Sequence, residues 1–106
     1  MGAPVNKTLE TEQERQQLLD EMEADYGAGW REQFKPGSFG CHELLDRTSW
    51  LGDTLEAYVL SHPACIQNPQ WYALANQAVT ALRELYQRIG AEHMEPTSDA
   101  SSLPRT

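Results

Sequence analysis

Residues 41–63 read CHELLDRTSWLGDTLEAYVLSHP, and their spacing decides the fold. Leu44, Thr48, Leu51, Leu55 and Tyr58 step by four and three, a seam of period 3.5 that Leu45, Gly52 and Val59 broaden. An α-helix completes a turn in 3.6 residues, so such a repeat lines up along one side of it. The spacing predicts a helix from about Cys41 to Ser61. His62-Pro63 closes it, because the residue before a proline is pushed out of the α region.

Downstream, Asn68-Pro69 offers an N-cap followed by proline at the first helical position. Trp71, Ala75, Ala78, Leu82, Leu85 and Ile89 repeat the four-three step, with Tyr72, Val79 and Tyr86 beside them. Gly90 is the stop signal. Only the short link PACIQ separates the two periodic runs, so they are expected to form an antiparallel hairpin. Gly52, Ala75 and Ala78 would let the backbones approach closely. Trp71, on its helix seam, is expected in the core.

Upstream, Thr11-Glu-Gln-Glu14 is a capping box. It would start a helix with a thin apolar stripe of Leu18, Leu19, Met22 and Tyr26, stopped by Gly27 and Gly29. The expected organisation is a flexible N-terminus over 1–10, one helical domain over 11–94 and a polar, proline-broken, disordered tail over 95–106. Strand signals and internal repeats are missing. The expected class is all-α: a short N-terminal helix plus a long antiparallel two-helix hairpin. A domain this small buries a modest share of its surface, so the fold is expected to be completed by oligomerisation.

The chain has 106 residues and a formal net charge of −8. That charge argues against a protein whose main task is coating nucleic acid, which draws on clustered Lys and Arg. It leaves open docking onto a basic partner surface. No apolar run approaches the ~20 residues of a membrane span, and the start has no signal-peptide core. The expected location is cytoplasmic, the host cytoplasm if the chain is phage-encoded. Cys41 and Cys65 bracket the middle helix, and its rise separates them by roughly 35 Å. That is too far for a bridge, so reduced thiols are expected.

Between the first two helices runs FKPGSFG, residues 34–40. The first N–H groups of a helix have no intrahelical acceptor, and the macrodipole adds partial positive charge there. A loop of small residues at that end suits an anion. Lys35 brings a point charge, Ser38 a donor, and Gly37 and Gly40 room for close approach. His42 adds a second polar group and Arg47 a planar fork suited to phosphate. Phe39 or Trp50 can stack on a base. The competing reading is structural: glycines shaping a tight turn, Phe39 in the core and Ser38 capping the helix. The loop is not a P-loop, whose lysine follows the glycines.

HELLDR also carries a catalytic reading. His42 and Asp46 share a face, but Asp46 stands where a zinc-protease helix has its second histidine, and a third ligand is needed. Glu43 and Arg47 have the spacing of an ordinary surface ion pair. Cys41 lies at a helix start, where thiol pKa values fall, but no amidase or protease signature surrounds it. The site is therefore expected to bind rather than catalyse, with no cofactor and no resident metal.

The runs GCHELLDRTS and LYQRIG carry a resemblance. The chain resembles a type of small phage- and bacterium-encoded helical-hairpin protein with a GxHExxDRxS-like helix start and a closing LYQxIG helix. That group implies no activity. In architecture alone, the chain is also similar to the hairpin nucleotide sponges with which phages block CBASS and Thoeris signalling. This second resemblance implies a homo-oligomer that traps a cyclic nucleotide without cleaving it.

Three functional expectations follow. The first is a binding protein that sequesters a phosphorylated, cyclic nucleotide immune messenger, using Lys35, Gly37, Ser38, Phe39, Gly40, His42, Glu43, Arg47 and Trp50. The alternative is an acidic protein-binding inhibitor or adaptor of anti-CRISPR type, presenting carboxylates such as Glu12, Glu14, Asp20 and Glu21. The third is a metal-dependent hydrolase at His42, Glu43 and Asp46.

Overall fold

The computed structural model describes residues 3–94, with side-chain surroundings from Thr8 onward. The expected tail and the first two residues lie outside this range. Among the described residues every regular element is helical. The protein is all-α. It divides after Glu32 into two compact units, taken one at a time below.

The first unit is α1, Ala3–Tyr26, followed by the start of a 3-10 turn at Trp30–Gln33. The helix begins well before Thr11, so the expected capping box lies inside it and does not mark its start. Pro4 is tolerated in a first turn, and no residue from Val5 to Glu10 breaks a helix. The expected stop holds. Gly27 adopts φ 78°, and its N–H donates to the Glu23 carbonyl at 2.9 Å. This is the left-handed cap that glycine adopts without steric cost. The Glu23 carboxylate then accepts from the Trp30 indole at 3.1 Å and from Arg31 Nε at 3.2 Å. Earlier in α1, Arg15 bonds Glu12 and holds its carboxyl below the usual carboxylate range.

The second unit holds α2 (Phe39–Leu55), a π-helical turn (Glu56–Leu60), α3 (Pro63–Gln67) and α4 (Pro69–Met94). The predicted middle helix therefore does not run uniformly to Ser61. Its end widens, and Ser61 sends both its N–H (3.1 Å) and its hydroxyl (2.9 Å) to the Glu56 carbonyl. The link PACIQ is itself a single helical turn, capped by His62 Nδ1 accepting from Ala64 N–H. Asn68 caps α4 as expected, its Oδ1 accepting from the Gln70 and Trp71 amides at 3.0 and 3.1 Å. Gly90 does not stop α4, which continues to Met94. Glycine weakens a helix interior by roughly 1 kcal/mol against alanine, too little to end a well-packed one.

Contacts between α2 and α4 set the register. Gly52 lies against Leu82 and Arg83, and Leu45 against Gly90. Arg83 reaches Asp53 at 2.9 Å and Glu56 at 2.6 Å, and these bonds raise its guanidinium above its ordinary value. The seam between the helices is rotated from the expected one. Cys41, Leu45, Thr48 and Gly52 are buried, whereas Leu44, Leu51 and Tyr58 are exposed. On α4, Val79 is buried and Trp71, expected in the core, is 57% exposed. Each helix has an apolar side wider than one seam, and the pair meets along one flank of it. The π turn contributes as well: burial steps five residues, from the half-buried Leu55 to Leu60, and leaves Val59 outside. Thr48 satisfies its buried hydroxyl by donating to the Leu44 carbonyl at 2.8 Å. Both cysteines are free and buried. No described helix is long and apolar enough to cross a membrane.

Candidate functional site

The loop ahead of α2 is built by backbone demands first. Gly37 takes φ 90°, a left-handed conformation that side chains resist. It turns the chain into Ser38, whose extended φ/ψ of −88° and 167° is that of an N-cap. Ser38 Oγ accepts from the Cys41 N–H at 3.1 Å, and the Ser38 carbonyl from the His42 N–H at 3.0 Å. Its own N–H donates to the Lys35 carbonyl. A methyl on Gly40 would overlap the Phe34 ring and the Gln33 carbonyl oxygen, so close packing requires glycine there.

The sequence gives no hint of the next contact. His93, on the last turn of α4, accepts the Gly37 N–H on Nδ1 at 2.9 Å. Its ring lies 5.4 Å, centroid to centroid, from that of His42, tilted by 40°. His42 Nε2 in turn stands 3.5 Å from Asp46. Register carries the signal that reading by motif missed. With Leu45 against Gly90, one helical turn further along the pair brings His42 to His93.

The nine expected site residues separate into two groups. Lys35, Gly37, Ser38, Gly40 and His42 gather at the helix start. Phe39, Glu43, Arg47 and Trp50 lie along the outer side of α2, turned away from α4. Phe39 is 83% exposed and Trp50 65% exposed, so Phe39 does not fill the core. Their separation of eleven residues corresponds to roughly 16 Å of helix rise, too far to sandwich one base. Arg47, about 10 Å of rise beyond Gly40, pairs with Glu43 at 3.3 Å.

The helix start can offer backbone hydrogen bonds to an anion. Of the helix-start amides, those of Phe39 and Gly40 have no acceptor among the described residues, while Gly37, Ser38, Cys41 and His42 are engaged within the loop and its helix. Among the described residues, no set of three His, Cys, Asp or Glu side chains is placed to hold a metal ion. No family model, curated protein or solved structure matches the chain.

Proposed function

We propose that this chain is a non-enzymatic binding protein whose target is another protein, gripped by the outer side of α2. One observation carries the reading: two large aromatics, Phe39 and Trp50, stand in solvent on one helix face with the Glu43–Arg47 pair between them. Exposed aromatic side chains are costly to leave in water, and Trp, Tyr and Arg dominate the energetics of protein interfaces. A net charge of −8 favours a basic partner surface. The role is that of an acidic inhibitor or adaptor built on an antiparallel hairpin.

The test compares recovery of partners by the tagged full chain and by its Phe39→Ser/Trp50→Ser form. A specific protein held by the wild type and released by the double variant, with helicity unchanged by circular dichroism, is the expected result. Equal recovery by both forms rejects the reading.

A second reading keeps the loop as a phosphate site. The Phe39 and Gly40 amides, with Lys35 and His42 nearby and the Phe39 ring available for stacking, support capture of a cyclic nucleotide. A phage counter-defence role for it rests on the architectural resemblance alone. It ranks second because most of the loop amides and the Arg47 guanidinium are already used internally. Calorimetry against cyclic dinucleotides and cyclic ADP-ribose isomers decides it, and the absence of heat from all of them ends it.

A further inference from the structure

The side of the α2–α4 pair that carries both sequence seams is largely uncovered. Leu44, Leu51 and Val59 from the first half of the pair, with Trp71, Leu74 and Leu85 from α4, are all between 44% and 64% exposed. Open concavities lie at its two ends. Phe34, Leu44, Leu85 and Ile89 line one of about 360 Å³, and Tyr58, Val59, Trp71 and Ala75 line one of about 370 Å³. The opposite side of the pair is the polar one, crossed by Arg83 to Asp53 and Glu56.

We propose that this apolar side is the interface with a second copy of the chain, two pairs closing into a four-helix bundle. Three features favour a copy over another occupant. The first is area: the six side chains present on the order of 600 Å² per chain, close to the ~800 Å² per partner of a standard interface once rims are added. The second is period. Among the exposed positions, Leu44 and Leu51 on one helix and Trp71, Ala78 and Leu85 on the other recur every seven residues, the repeat of knobs-into-holes bundles, over roughly 20 Å on α4.

The third is charge. Each rim carries both signs, Glu43 with Arg47 on α2 and Glu84 with Arg88 on α4. A two-fold copy offers both signs to both rims, as an isologous interface requires. The interior fits this picture: no side chain among the described residues is fully buried. A core so thin gains most from a second layer.

Sedimentation equilibrium of the full chain over a dilution series from the micromolar range tests the proposal. The expected mass is twice the chain's 12.0 kDa. Leu51→Asp should weaken the dimer by roughly tenfold or more, as loss of a central anchor does. Leu74→Ser is the milder variant, to be read if Leu51→Asp loses helicity, and should also shift the equilibrium toward monomer. Phe39→Ser, on the outer face, should leave the mass at the dimer value. A monomer at every concentration overturns the proposal, whether its groove is open or covered by its own chain. A dimer untouched by both groove variants overturns it too.

Discussion

His93 Nδ1 accepts the Gly37 N–H at 2.9 Å, joining the last turn of α4 to the loop that opens α2. An accepting Nδ1 carries no proton, so this contact fixes the neutral ring as the Nε2–H tautomer. His93→Ala should cost on the order of 1 kcal/mol of stability, the usual worth of such a bond. It should also speed exchange of the Gly37 amide. A Gly37 amide that exchanges equally fast in the wild type and in His93→Ala would refute the contact.

Two glycines on the same helix pair should respond oppositely to alanine. At Gly40 a methyl meets the Phe34 ring and the Gln33 carbonyl, so Gly40→Ala should destabilise by about 1–3 kcal/mol through overpacking. At Gly90 a Cβ would sit 3.7 Å from Leu45 Cδ1, an ordinary contact in a helix interior. Gly90→Ala should stabilise by roughly 0.5–1 kcal/mol. Urea unfolding of both variants measures the difference, and a shared sign would contradict the geometry.

Arg83 ties α4 to Asp53 and to Glu56 at the π turn. These carboxylates raise the Arg83 pKa, so in principle its contribution is present below the arginine's unfolded value and lost only far above any working pH. Arg83→Met keeps the packed stem and deletes the charge. The melting-temperature difference between the wild type and Arg83→Met should narrow as sodium chloride is added, because exposed pairs are screened.

Of the three side-chain caps, those of α2 and α4 differ in how many donors they satisfy. Asn68 takes two amides and Ser38 one. Asn68→Ala and Ser38→Ala should each lose about 0.5–2 kcal/mol, with Asn68 the larger. Thermal denaturation of the pair tests the order.

The helices and the ends at Gly27, Ser38 and Asn68 are legible because their signals are local, whereas Thr11 and Gly90 carry such signals inside a helix. Asn68-Pro69, Gly27 and the paired four-three runs each act over one or two turns. What sequence reading missed depends on how the helices meet. A wide apolar side supports more than one seam, so period alone could not choose Leu45 and Gly52 over Leu44 and Leu51. Trp71 keeps the period of its helix yet lies outside the core for the same reason. The first two turns of α1, residues 3–10, show no periodic pattern, although nothing in them forbids a helix. In the candidate site, Ser38 and Gly37 fill the structural roles their residue types suggest. His93 escaped notice because no motif joins it to the loop; only the register of the pair does.

The wide turn at Glu56–Leu60 carries one residue more than an α-helical ladder would use. The heading at which the chain leaves α2 thus depends on a count of residues. Removing Ala57 would let the ladder close as an ordinary α-helix, with Leu60 four residues after Leu55 instead of five and the two Ser61 bonds to Glu56 given up.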